Sequence, residues 1–98
     1  MSFDEHLTED ARLIILKELA RQGDYRLNDM MLMKVLDAMG HRRSRDWLMT
    51  QLGKIAELGA VKLAHAGDIT VAQITQAGID HVERRSFLAG VARPSPEA

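Results

Sequence analysis

Residues 44–75 read SRDWLMTQLGKIAELGAVKLAHAGDITVAQIT, and this stretch decides the fold. Ser44 is a residue that commonly caps the N-terminus of a helix, and apolar residues follow it at helical spacing. Gly59 can end that helix by taking a left-handed backbone conformation. Two segments of alternating polarity then flank the turn residues Gly67 and Asp68, and Thr75 closes the stretch. The pattern predicts a capped helix followed by a tight β-hairpin.

The spacing of the apolar residues predicts which face of each element is buried. The predicted core face of the helix consists of Leu48, Leu52, Ile55 and Leu58. In the first strand Val61 and Leu63 alternate with Lys62 and Ala64. In the second strand the core face is predicted to hold Ile69, Val71 and Gln73, alternating with Thr70, Ala72 and Ile74.

Two helices are predicted before this stretch. The first begins between Asp4 and Thr8, either of which can cap it, and ends near Gly23. Its first apolar stripe holds Leu7, Ala11, Ile14, Ile15 and Leu19, and its second stripe holds Leu13, Leu16 and Ala20. A helix that is apolar on two sides is buried on both. We interpret the second stripe as a dimer interface; the alternative is that later helices of the same chain cover both stripes.

The second helix follows a short extended segment at residues 25–27. Asn28 is a good N-cap, the helix is predicted over 29–39, and Gly40 can end it. Its predicted core face consists of Leu32, Val35, Leu36 and Met39. Met30 and Met33 point the other way, either as a surface for a protein partner or beneath another element of the fold.

After the hairpin, Thr75 can cap a fourth helix that runs to about Phe87 or Leu88, with Gly78 packed closely against the hairpin. Residues 1–89 are predicted to form the domain, and residues 90–98 an extended or disordered tail. The order is helix, short strand, helix, helix, hairpin, helix. It predicts an α+β, mainly helical winged helix-turn-helix. We expect a homodimer through the first and fourth helices, with an interface of Leu13, Leu16, Ala20 and Phe87.

Composition excludes several classes of protein. The 98 residues include no cysteine, so disulfides and thiolate metal sites are impossible. No apolar run is long enough to span a bilayer and no signal peptide is visible, so we expect a cytoplasmic protein. The four histidines are isolated and no catalytic motif is present, so we expect no enzymatic activity, cofactor or metal. A metal site would require the fold to bring histidines and carboxylates together, and His65 and Asp68 in the hairpin are one such pair.

Charge is distributed unevenly along the chain. Residues 1–40 carry a net charge of −3, whereas residues 41–62 carry +3, around the start of the third helix. Cations there can contact DNA phosphates, and the helix can enter the major groove. The candidate DNA-binding residues are Arg42, Arg43, Ser44, Arg45, Trp47, Met49, Thr50 and Lys54. The three arginines and Lys54 are expected to contact DNA phosphates. Thr50, together with Met49 or Trp47, is expected to face the bases.

Other features of the same surface oppose strong binding. Asp46 and Glu57 share the outward side of this helix and would repel the DNA backbone. The hairpin tip carries no cation that could enter a minor groove. The single tryptophan, Trp47, has an alternative role, in which it packs half-buried against the preceding helix. These features predict weak binding by one subunit, or binding only as a dimer.

The whole chain resembles a family of small proteins from Mu-like prophages that are described as winged-helix and ArsR-like or MarR-like. The resemblance is carried by residues 2–7, Asp10, Arg12, residues 40–41, 44–46, Leu52, and residues 57–59, 75–78 and 93–96. The chain departs from the family in Trp47 and in Met30, Met31 and Met33. The resemblance implies a winged-helix fold and a phage origin within a bacterial host.

Two functions are therefore expected for the chain. The first is binding of double-stranded DNA, as a transcriptional regulator of a prophage. The second is a protein-interaction module in phage DNA packaging or assembly, with weak or no sequence-specific DNA binding. The resemblance implies this second role because such genes lie near late genes for DNA packaging.

Overall fold

The computed structural model describes residues 2–96 and has an α+β architecture. In chain order the elements are α1 (Phe3–Arg21), β1 (Arg26–Asn28), α2 (Asp29–Ala38), α3 (Arg45–Glu57), β2 (Val61–Ala66), β3 (Ile69–Ile74) and α4 (Gln76–Val82). The strands form one antiparallel sheet in the order β1-β3-β2. Across residues 2–96, four helices and a three-stranded sheet are compatible with the predicted winged helix-turn-helix.

Side-chain caps begin every helix, as expected from the sequence in three of the four cases. The side-chain oxygens of Asn28, Ser44 and Thr75 each accept a hydrogen bond from the backbone N–H of the residue three positions later. The predicted cap of α1 was wrong, because Ser2 Oγ accepts the N–H of Glu5 at 3.1 Å and the helix begins at Phe3. Local hydrogen bonding thus fixes where each helix starts.

Helix α1 lies at the centre of the fold, where it contacts the other three helices and strands β1 and β3. The chain itself therefore buries both apolar stripes, and Leu13 and Leu16 are 8% and 0% exposed. This burial corrects their assignment to a dimer interface, since a partner subunit cannot reach them. Ala20 is half-buried and Phe87 is exposed, and homodimer formation stays a prediction.

Two predicted core residues lie at helix ends and are exposed. Met39 caps α2 and Leu58 caps α3, and their exposed fractions are 61% and 36%. The helical period no longer directs their side chains inward because each helix ends at that point. Gly40 and Gly59 follow them with positive φ angles of 95° and 81°, as predicted for the two stops.

The predicted core face of β3 was also wrong. Thr70, Ala72 and Ile74 are buried, whereas Ile69 is exposed. The register explains the reversal, because Val61 pairs with Ile74 and the next core residue of β2 pairs with Ala72. Residues that are directly opposite in an antiparallel pair share a face of the sheet.

Helix α4 ends earlier than predicted, at Val82. Arg84 takes a left-handed conformation with a φ of 64°, and the backbone N–H of Arg85 returns to the carbonyl of Asp80. These two features end the helix and reverse the chain. The predicted extension to Phe87 or Leu88 is therefore incorrect.

The segment after α4 packs on the domain although it has no regular secondary structure. Val91 is buried, and the N–H of Ala92 donates to the carbonyl of Glu9 in α1. Gly90 lies in a turn with a φ of 82°, and Pro94 is buried as well as Val91, so this segment contributes to the core, whereas the sequence predicted an extended or disordered tail there. The last two residues of the predicted tail, Glu97 and Ala98, lie outside the described residues.

Candidate functional site

The turn before α3 presents two arginines at the surface. Arg42 Nε lies 3.2 Å from Asp37 Oδ1 in an ion pair that is exposed on both sides. The guanidinium of Arg43 lies over the Trp47 ring, 4.4 Å from its centroid. Ser44 Oγ accepts the Trp47 N–H at 3.1 Å, so its role is to cap α3. The turn thus holds both cations next to the start of the helix.

Arg45 makes the strongest set of polar contacts at this site. Its Nε and Nη2 lie 3.0 and 2.6 Å from Asp29 Oδ2, and Nη2 also donates to the carbonyl of Asp68 at 2.9 Å. Asp29 is 1% exposed, and its other oxygen accepts the N–H of Met30. Arg45 therefore joins the start of α2 to the tip of the β2–β3 hairpin, although sequence predicted it as a phosphate contact.

The environment of Asp29 determines its ionisation. Burial raises the pKa of its carboxyl, but the hydrogen bond from Arg45 and those from the backbone N–H groups of Met30 and Thr70 lower it, and the pKa lies below its ordinary value of 3.8. A carboxyl with a lowered pKa stabilises the fold at pH values above the ordinary pKa. That contribution is lost as the pH falls through the folded-state pKa.

One side of α3 remains exposed. Thr50 and Lys54 lie there, with Asp46 one turn before Thr50, whose hydroxyl donates to the Asp46 carbonyl at 3.1 Å. Trp47 and Met49 are half-buried and pack against the core. Of the residues expected to face bases, Thr50 is therefore the one that is fully at the surface.

A depression of about 450 Å³ lies beside the turn, between α2 and the arginines. It is lined by Met33, Lys34, Asp37, His41, Arg42 and Arg43. The structure therefore adds Lys34 to Arg42 and Arg43, while Arg45 and Lys54 lie elsewhere. The sequence offered little signal for Lys34, since a single exposed lysine on a helix is ordinary.

The chain is similar over 92 residues, at 39% identity, to a protein of Escherichia phage Mu named "Uncharacterized protein gp26". The match covers 94% of this chain and 95% of the phage protein. The chain belongs to the Mu gp26 family. An "Uncharacterized protein" of Haemophilus influenzae is 39% identical over 77 residues, which are 78% of this chain and 74% of the relative. No family model and no solved structure matches the chain.

The comparison confirms the predicted relationship to Mu-like phages. The comparison does not test the ArsR-like or MarR-like assignment, which stays a prediction. The residues that carried the resemblance include Arg12, whose structural role is now clear. Its guanidinium donates to Gln51 Oε1 and to the Gly90 carbonyl, both at 2.9 Å, and so connects α1, α3 and the C-terminal segment.

Sequence reasoning missed several buried polar side chains in this member of the gp26 family, among them Gln51 and His81. Gln51 is the partner of Arg12, and His81 is fully buried. His81 Nε2 lies 2.9 Å from the Ala92 carbonyl, and its Nδ1 accepts the N–H of Leu88 at 2.9 Å. A carbonyl only accepts, so the proton is on Nε2. These contacts hold the C-terminal segment in place.

The described residues show no cluster of metal ligands. Within residues 2–96, no three His, Asp or Glu side chains are grouped so that they could hold a metal ion. His65, considered above with Asp68, instead places Nδ1 2.9 Å from Thr70 Oγ1. Over the same residues, every helix is too short or too polar to cross a bilayer.

Proposed function

We propose that this member of the gp26 family is a winged helix-turn-helix protein that binds double-stranded DNA as a phage transcriptional regulator. One observation carries the proposal. Thr50 and Lys54 lie on an exposed side of α3, and Arg42 and Arg43 extend from the turn at its N-terminal end. A helix with a free side can enter the major groove while cations at its start contact phosphates.

The β2–β3 hairpin is the wing in this proposal, and its contribution is mainly structural. Its tip, Gly67 and Asp68, carries no cation, and Arg45 ties it to Asp29. The carboxylates of Asp46 and Glu57 on the α3 surface oppose the DNA backbone. We therefore propose that a homodimer, with two copies of the surface, binds more strongly than one subunit.

The salt dependence of DNA binding reports the number of phosphates that the protein contacts. The double variant Arg42→Ala/Arg43→Ala is expected to lower the slope of log Kd against log salt concentration by about two, because each lost phosphate contact removes about 0.9. Fluorescence anisotropy of a labelled duplex between low and moderate salt measures the slope. The control is Arg21→Ala/Arg26→Ala, which removes two exposed cations outside the α3 surface and is expected to leave the slope unchanged.

The identity of the bound DNA requires a selection. Fragmented phage and host DNA is incubated with the wild-type protein, the bound fragments are sequenced, and the mass of the protein in solution is measured in parallel. Enrichment of a two-fold symmetric site together with a dimer mass supports the regulator. If no phage or host fragment shows salt-dependent binding, the DNA-binding proposal is wrong.

A second candidate is an interaction module in phage DNA packaging or assembly. The observation that favours it is a set of exposed apolar side chains on the elements that Arg45 joins: Met30, Met31 and Ile69 are 61%, 44% and 43% exposed. Methionine-rich surfaces adapt to protein partners. Binding of a defined phage packaging protein that Met30→Lys abolishes, without DNA binding by the wild type, would favour this candidate.

A further inference from the structure

The depression beside the turn has an excess of positive charge. Lys34, Arg42 and Arg43 lie around it, with Asp37 as the one carboxylate of its lining. Arg42 is paired with Asp37, but Lys34 and Arg43 form no ion pair among residues 2–96. Two full positive charges thus remain without a carboxylate partner in the described part of the chain.

Arg43 is restrained by a contact with Trp47. Its guanidinium carbon lies over the Trp47 ring, 4.4 Å from the ring centroid. The N–H donors at the edge of the guanidinium make no hydrogen bond within residues 2–96. A planar guanidinium with free N–H donors suits an anion that can accept two hydrogen bonds.

Two other residues of the lining, His41 and Met33, are held in place by the domain. His41 is 8% exposed, its Nε2 lies 2.8 Å from Asp10 Oδ2, and its backbone N–H donates to the Leu36 carbonyl at 2.8 Å. Met33, which also lines the depression, packs against the core. His41 and Met33 are therefore held in place by the domain, whereas the exposed cations Lys34 and Arg42 become ordered when a ligand binds.

We infer that this depression binds a phosphate group through Lys34, Arg42 and Arg43. Lysine supplies a point charge and arginine a bidentate donor, which is the usual combination for phosphate. The Arg42–Asp37 pair is exposed and therefore weak, so Arg42 can exchange Asp37 for the ligand. Assigning the group to a DNA backbone rests on the function proposed above; a free phosphate offers the same chemistry.

Trp47 provides a direct readout, because it is the single tryptophan of the chain and Arg43 lies on its ring. Tryptophan fluorescence is followed during titration with inorganic phosphate, and separately with duplex DNA at several salt concentrations. The variant is Lys34→Gln. The matched control is Arg21→Gln, which removes the same charge from an exposed side chain that does not line the depression.

For the wild type, inorganic phosphate is expected to change Trp47 fluorescence. Lys34→Gln is expected to weaken that binding about threefold, in line with an exposed charged contact. The same variant should lower the salt slope for duplex DNA by about one. Arg21→Gln should change neither quantity. This combination supports a site for a backbone phosphate.

Other outcomes separate the two proposals. A phosphate response that depends on Lys34, without any duplex binding, supports the site with free phosphate as its ligand and contradicts the DNA-binding function. Duplex binding with an unchanged salt slope in Lys34→Gln, and no phosphate response, overturns this inference and leaves the DNA-binding function standing. Equal effects of Lys34→Gln and Arg21→Gln also overturn it, since general charge then accounts for the result.

Discussion

Replacement of Arg45 by Met is expected to lower the free energy of unfolding by about 3 kcal/mol at pH 7. The substitution leaves the carboxylate of Asp29 buried without its charged partner, while the backbone N–H of Met30 still donates to it. It also releases the carbonyl of Asp68 at the hairpin tip. Urea denaturation followed by far-UV circular dichroism measures the change.

Arg42→Met is the matched control, because it removes an arginine from an exposed ion pair with Asp37. Its expected effect is within about 0.5 kcal/mol. The double variant Asp29→Asn/Arg45→Met removes both charges of the pair, including the buried one of Asp29, and should be more stable than Arg45→Met alone. If the three variants are equally stable, the Arg45–Asp29 contact has no special role in the fold.

The effect of Arg45→Met should also depend on pH. In the wild type the pKa of Asp29 lies below 3.8, so its stabilising contribution is present above that pH and is lost as the pH falls through the folded-state pKa. Without Arg45, burial remains as the main influence and raises the pKa. The destabilisation should therefore be largest at neutral pH and shrink below about pH 4. A constant difference between pH 7 and pH 3 would contradict this account.

Replacement of Gly78 by Ala is expected to destabilise the protein by about 2 kcal/mol. A Cβ atom at Gly78 would lie 2.5 Å from the backbone oxygen of Ala60 and 2.6 Å from Ile74 Cγ1. The backbone of Ala60 cannot move easily, because its N–H donates to Ile55 and its carbonyl accepts from Thr75. Thermal and urea denaturation measure the loss.

Gly53→Ala is the control for helix propensity, because, apart from the neighbouring residues and backbone of α3 itself, no atom lies within 4 Å of a Cβ built at Gly53. Alanine is favoured over glycine in a helix by about 1 kcal/mol, so this variant should be stabilised by up to that amount. Opposite signs for the two substitutions support close packing of α4 against β3 and the segment before β2. A stabilised Gly78→Ala variant would contradict the packing described for Gly78.

The candidate site was predicted in part. The positive charge around residues 41–62 and the capping of α3 by Ser44 identified Arg42 and Arg43, which lie together at the surface. Lys34 could not be assigned because its relation to the arginines depends on how α2 and the turn pack. Arg45 carries the same charge as its neighbours, and only its distance from Asp29 separates its structural role from theirs.

The sequence by itself determined the elements that depend on near neighbours along the chain. The caps at Asn28, Ser44 and Thr75 and the stops at Gly40 and Gly59 are interactions over three or four residues, or properties of one residue's backbone. These interactions have the same chemistry in any fold, so the residue types reveal them. The sequence therefore predicted correctly where the second, third and fourth helices begin.

Tertiary structure alone decided which faces are buried and which charges are paired. Leu16 is in the core because other elements surround α1, and Thr70 is inside because the register of β3 places it there. Asp29 and Arg45 meet across 16 positions of sequence, and buried His81 meets the carbonyl of Ala92 across 11 positions. Each of these depends on a partner whose position exists only after the chain has folded.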